Sequence, residues 1–417
     1  MAASETAQPS KPEQSPPAKK SGWEAVLTAT PVVLTVVATI LAGLSTSEMT
    51  LAQYHRSLAA QNQSKASDQW GFFQAKRLRG TAMENAFDLL PPKSKPSRLE
   101  ADDVWGASQQ LTRAFQDAKK QTADLEKALS ARTDLGPDGA PVREAATGLT
   151  KRTQKSAARA NMIARKLEVE LAQKDTRTAF EYFSPNRLPE VEDEKVDHPD
   201  IDQAVQSISD RANEKELAPI LRKIQGDDLQ QAIETAEGNA RRFEAAGKPI
   251  GKTLDQLDQL VREQVAHAAD FHQFLRNYQF LIGETWPGLG DKTLVDLQGA
   301  KTALDKSDAA VQGAAEEMDN LLKAGRFSYT ARRQRRESDY HLKTAGLYEV
   351  QVRLNSFTSD RHRTRSKLFF FGMLAAQAGV TIASLSLAVH KRNILWALAG
   401  LAGLAAVTFS GYVYLYM

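Results

Sequence analysis

Cysteine is absent from all 417 residues, and with it a disulfide framework, a thiolate nucleophile and any zinc or iron–sulfur site built on sulfur. Aromatic residues make up only 7% while charged residues reach 25%, and Ala, Leu, Gln, Glu, Lys and Arg dominate, a mixture that favours long helices over sheets. Net charge is only +3, so no polyanion-binding surface extends over the protein and nucleic acid is not an expected partner. Proline is missing after Pro287, and earlier prolines cluster at Pro91–Pro96, Pro137–Pro141, Pro185–Pro199 and near Pro249. These clusters read as breaks between helix-sized stretches, and the proline-free remainder reads as helix with few interruptions. No strand-like alternation and no solenoid-length repeat occurs.

What the chain does have is three long apolar runs, despite a mean hydropathy of −0.43. Ala25–Leu44, Leu368–Val389 and Ile394–Met417 carry no charged residue over 20, 22 and 24 positions. Each exceeds the roughly 18 residues that a membrane-crossing helix needs. Trp23, Trp396, Tyr412, Tyr414 and Tyr416 sit where interfacial aromatics are expected. The first run reads as a span rather than a cleaved signal peptide, for want of a small-x-small site and a composition break. The resulting division is a disordered Pro-rich tail at 1–22, spans at 24–45, 368–389 and 394–416, and an extramembrane helical, coiled-coil-like region at 46–367. The fold class is all-α.

Positive charges give a divided vote on sidedness. Lys11, Lys19, Lys20, Lys391 and Arg392 draw the tail and the short hairpin loop to the cytoplasm, leaving residues 46–367 outside it. Arg361, Arg363, Arg365 and Lys367, just before the second run, pull the other way and are expected to meet lipid headgroups.

Apolar seams at steps of three and four run through Val104–Leu129, Leu254–Ile282 and Leu294–Leu322, with polar exceptions at Ser108, Thr122, Gln264, Lys301 and Asp308. Each seam needs a partner face, within the chain or on another subunit. In the apolar hairpin, Gly372, Ala376, Gly379 and Ala383 set small residues at steps of four, three and four. Ala399, Gly403 and Ala406, followed by Ser410, match them, and such seams let helices approach closely in lipid. Gln377, near mid-span, is expected to hydrogen-bond a neighbouring helix.

Past the first run comes Ala-Ser-Asp-Gln-Trp-Gly-Phe-Phe-Gln-Ala-Lys, residues 66–76. Trp70, Phe73 and Arg77 share a helix face there, bordered by Asp68, Gln69, Gln74 and Lys76, an arrangement suited to docking another helix or to an ordinary core. With the hairpin Leu374–Trp396, this segment resembles the bacterial membrane-protein family catalogued as domain of unknown function 4337. The resemblance covers residues 24–85 and 335–417 and leaves the intervening part as an enlargement. It implies one N-terminal span, a helical part carrying the motif, a C-terminal two-span hairpin and an inner-membrane address, but no reaction.

No catalytic signature survives inspection. His267 and His272 are five apart and diverge on a helix, unlike a metal-binding pair at i, i+4. Gly283–Gly288 lacks the Lys-Ser/Thr of a phosphate loop. The acidic run Glu190–Asp202 lacks the spacing of an EF-hand and reads as a solvated loop. Arg332, Arg333, Arg335 and Arg336 read as a salt-bridged or solvated face. No enzyme activity, cofactor, metal or small-molecule substrate is therefore expected. The partners expected are the bilayer and other proteins, or a second copy through its helices. Two functions remain open: a membrane-anchored helical scaffold, or a component of a membrane transport or stress-response complex. A conduit needs several polar groups on one bundle face. The three runs hold no Asp, Glu, Lys, Arg or His, and a single amide, Gln377.

Overall fold

The computed structural model describes residues 22–96, 98–132, 139–184, 187–195, 198–283, 291–389 and 392–416. The tail, residues 284–290 of the phosphate-loop-like stretch, and His390 and Lys391 of the hairpin loop lie outside the described residues. Among those described there is no strand. The helices are α1 (Gly22–Asp88), α2 (Ala101–Ser130), α3 (Ala140–Ala172), α4 (Lys174–Glu181), α5 (Pro199–Ser209), α6 (Glu214–Leu221), α7 (Gly226–Gly283), α8 (Asp291–Ala388) and α9 (Arg392–Tyr416). Portions of α1, α8 and α9 are long and apolar enough to cross a membrane.

Proline did not always end a helix. Pro249 lies inside α7, where a break was expected. Its ring removes one ladder hydrogen bond, yet packing on both sides holds the helix together: Ile250 and Leu254 are buried, and the Arg333 guanidinium lies against Gly247 and Gly251. Pro31 likewise sits within α1.

The chain divides into two compact units. One comprises residues up to Ser64, Gln203–Lys223 and everything from Glu349 on; the other comprises Lys65–Asp202 and Ile224–Tyr348. Helices α1 and α8 contribute to both.

In the second unit, α2, α3, α4, α7 and α8 enclose the main core, which includes Leu111, Phe115, Leu149, Leu167, Leu257, Phe271, Leu275, Leu304 and Met318. All eight positions of the Val104–Leu129 seam are buried. The seams are thus covered from within the chain. Helix α2 begins with a capping box, in which Glu100 and Asp103 satisfy each other's backbone N–H. Polar positions of the seams are answered too. Ser108 and Gln264 hydrogen-bond each other, and the Asp308 carboxylate accepts from His272 Nδ1 at 2.6 Å.

In the first unit, the apolar segments of α1, α8 and α9 pack together. Gly372, Ala376, Gly379, Ala383, Ala399, Gly403 and Ala406 are all buried in the contacts between them. A Cβ on Gly379 would stand 3.1 Å from Leu34 Cδ1 and 3.3 Å from the Ala399 carbonyl, and one on Gly403 2.7 Å from Leu34 Cδ2. The hairpin's small seam therefore receives leucines of α1 as well as closing on itself. Gln377 departs from the expectation: it is exposed on α8 in a groove beside α1, and its side chain makes no hydrogen bond among the described residues. Further along, Ser45 and Ser366 exchange hydroxyl-to-carbonyl bonds at 2.8 and 3.0 Å, and Ser359 donates to the Ala52 carbonyl.

Candidate functional site

The motif on α1 is split in two by the helix it rides on. Residues three, four and seven apart share a face, so Gln69 and Lys76 fall together, and Trp70, Phe73 and Arg77 form an adjoining stripe with Phe73 at the boundary. Gln69 and Lys76, expected at a partner surface, instead turn toward α8. Lys76 donates to Glu337 at 2.5 Å, and Arg333 donates to the other oxygen of the same carboxylate at 2.7 Å. Glu337 is 4% exposed, so this is a buried anion held between two cations. His341, one turn on, donates from Nδ1 to the Gln69 amide oxygen at 2.7 Å. Burial, with the nearby Lys76 charge, holds its imidazole below its ordinary range, so it is neutral here.

These groups line a cleft between α1, α7 and α8, with Glu237, Arg241, Glu244 and Thr344 on its other walls. At its edge Tyr348 donates to Glu237 at 2.9 Å, and burial first and then that bond push its phenol up to about 12. Tyr340 donates to Asp193 at 2.6 Å and Arg336 binds the other oxygen at 2.9 Å. Burial, followed by the Asp193 bond, raises the Tyr340 phenol as well.

Asp193 belongs to the acidic stretch read as a solvated loop. That reading holds for Glu190 and Glu192, which are exposed in irregular backbone, but Asp193 and Glu194 tie the stretch to α7 and α8, and its end from Pro199 on is helix α5. Besides the Asp193 contacts, Glu194 pairs with Arg242, which lowers its carboxyl, and its backbone exchanges two hydrogen bonds with Asn239. Asp197 of the same run lies outside the described residues. Each arginine of the cluster opposite has a partner. Arg332 binds the Tyr182 carbonyl, Arg333 binds Glu337, Arg335 binds Glu84 and Arg336 binds Asp193.

The aromatic residues of the motif lie beside this polar face. Trp70 and Phe73 meet edge to face at 5.5 Å, and the Arg77 guanidinium lies 5.8 Å over the Phe73 ring. Both rings are half-buried, while Asp68, Phe72, Gln74 and Leu78 are exposed around them. Phe73 and Arg77 also wall a shallow groove with Gly80, Glu84, Arg335 and Leu342. Of the basic residues near the second apolar run, Arg361, Arg363 and Lys367 are exposed, whereas Arg365 is partly buried and lies 4.0 Å from Glu48.

The polar partners on α8 were missed because only apolar periodicity was sought. Leu34, Leu41, Glu48, His55, Asn62, Gln69 and Lys76 follow one another on α1 at steps of seven. Within the first unit Glu48 meets His362 at 2.5 Å and His55 meets Asn355 at 3.3 Å. Within the second, Gln69 meets His341 and Lys76 meets Glu337. A heptad search that admitted polar residues finds this face.

Residues 23–177 match the family described as a domain of unknown function, DUF4337. This is the family that the residue 66–76 motif pointed to, and the motif lies inside the match. The DUF4337 match also takes in α2 and α3, so residues 86–177 are not the enlargement they were read as. The C-terminal hairpin lies beyond the matched residues. No curated protein and no solved structure is significantly similar to the chain. DUF4337 brings no activity with it, and chemistry must be read from the side chains.

Proposed function

We propose that the chain is a membrane-anchored helical scaffold, without catalysis of its own, that docks partner proteins on the Trp70–Phe73–Arg77 ridge. The observation that carries this reading is the division of the motif. Its polar half is spent on Glu337 and His341, which fixes the rotation of α1 and leaves Trp70 and Phe73 half-exposed on the adjoining stripe, at the edge of a groove beside α8. Paired aromatics beside an arginine are the residue types that anchor protein interfaces. Of the acids in and beside the cleft, Glu337 is neutralised by two cations, Asp193 is paired with Arg336 and Glu237 is engaged by Tyr348, while Glu244 is exposed on its wall.

Its address under this proposal is the inner membrane of a bacterium, crossed three times, with residues 46–367 outside the cytoplasm. Arg361, Arg363 and Lys367 then contact lipid headgroups. A cysteine-free chain makes sidedness easy to read: Ser209→Cys should react with an impermeant thiol reagent in intact spheroplasts, and Asn393→Cys should not. The reverse pattern turns the molecule over.

Docking is tested by purifying the full chain with its native lipid and comparing Trp70→Ala with the parent. The expected result is loss of co-purifying proteins with an unchanged helical spectrum and a modest fall in melting. Identical partners in both preparations would remove the ridge from the interface. Solute flux through proteoliposomes of the purified chain would favour the transport-complex alternative instead.

A further inference from the structure

Gln377 is the sole side-chain amide in the three apolar runs, ten residues into Leu368–Val389. The structure leaves it exposed on α8, lining a groove with Thr35, Ala38, Thr39 and Ala42 of α1 and Val380 and Thr381 of α8. The hydroxyl protons around it are already committed. Thr35 and Thr39 donate to the carbonyls four residues back on α1, and Thr381 donates to the Gln377 carbonyl on α8. The Gln377 side chain itself makes no hydrogen bond to the described residues. In water this would be unremarkable, but an amide facing hydrocarbon without a partner is costly.

We propose that Gln377 pairs with Gln377 of a second copy, making α8 the interface of a parallel homodimer within the membrane. This rests on the membrane-anchored reading above. The amide carries both a donor and an acceptor, so two copies related by a twofold axis along the membrane normal form two reciprocal N–H···O bonds. Only a second copy in parallel offers an amide at the same depth by necessity. The surrounding stripe fits the same axis: Phe370, Leu374, Gln377 and Thr381 are all exposed and follow at steps of four, three and four, the spacing of a helix–helix seam. The small-residue face of α8 is not available for this contact, because Leu34, Leu41 and α9 already fill it.

The test uses the full chain in native membranes. Alkaline carbonate extraction comes first: release into the supernatant overturns membrane anchoring and this inference with it. If the chain stays in the pellet, Leu374→Cys and Thr381→Cys are oxidised separately, with Leu401→Cys on the exposed face of α9 as reference. The expected result is a disulfide-linked dimer from the two α8 positions and not from α9. Gln377→Leu, combined with either cysteine, should weaken dimerisation by about tenfold, on the order of 1.4 kcal/mol. Dimer from α9 alone, equal cross-linking with Gln377→Leu, or monomer throughout in an embedded chain would each overturn the pairing while leaving the anchor intact.

Discussion

Gln264 of α7 and Ser108 of α2 exchange hydrogen bonds at 3.0 and 3.2 Å inside the main core, 156 residues apart in the chain. Each is a polar exception in its own apolar seam, and each is nearly inaccessible, Gln264 at 3% and Ser108 at 0%. Two flaws in separate sequence patterns thus become one satisfied contact. It also fixes the axial register of α2 against α7, since a slip by one position would leave a buried amide without a partner.

Ser108→Ala should therefore cost more than its single hydroxyl suggests. It leaves the Gln264 amide buried and unpaired, an expected loss of about 1–3 kcal/mol. Gln264→Leu with Ser108→Ala should recover most of it, because an apolar pair replaces the polar one. Urea unfolding of the detergent-solubilised chain, run as a double-mutant cycle, reads the coupling; additive losses would show that the two do not depend on each other.

Glu337→Gln keeps the shape of the side chain and removes its charge. Lys76 and Arg333 would then face each other across a neutral group, with an expected loss of about 3–5 kcal/mol. Lys76→Met should cost less, because Arg333 still holds the carboxylate. The order of the two unfolding midpoints decides this; a milder effect for Glu337→Gln would mean that the cations, not the anion, are the dispensable part.

Acid should weaken the second unit through His267. Its Nε2–H donates to the Ser156 carbonyl at 2.9 Å, it stacks on Phe115, and its buried Nδ1 has no partner among the described residues. Burial holds its pKa below the ordinary 6.5, with Arg159 adding to the effect and Asp270 and Glu263 opposing it. An unfolded chain therefore takes up the proton first. Stability is full above about pH 6.5 and falls as the pH drops from there toward the lower folded value. Melting curves between pH 8 and pH 5 should slope downward, and His267→Gln should flatten that slope. His341, lowered for the same reason, should add a second, separable contribution.

Gly379→Leu should open the contact between the apolar helices. The Leu34 methyl and the Ala399 carbonyl already stand within van der Waals distance of where a Cβ would go. Backbone cannot yield as a side chain can, so an overpacking cost of about 1–3 kcal/mol is expected. Gly400→Ala, where a Cβ meets open space, is the matched control and should be silent in heat-unfolding of the solubilised protein. Equal effects at both positions would mean that close approach is not what the seam provides.

The helices, the three apolar segments and the seams are legible in the sequence, because each is a local repeat. A run of apolar residues or a three-four spacing needs no knowledge of what lies opposite. Tertiary structure alone decided what the polar residues do. Whether Gln264 is a defect or half of a bond depends on Ser108, and whether Asp193 is solvated depends on Arg336 and Tyr340. It also decided that Pro249 would not break α7, since packing outweighs one missing hydrogen bond, and that Gln377 stays exposed in a groove between α1 and α8. Polar pairing is a property of two distant segments at once. Periodicity along one segment fixes which face a residue occupies, and only the fold brings the opposite group to it.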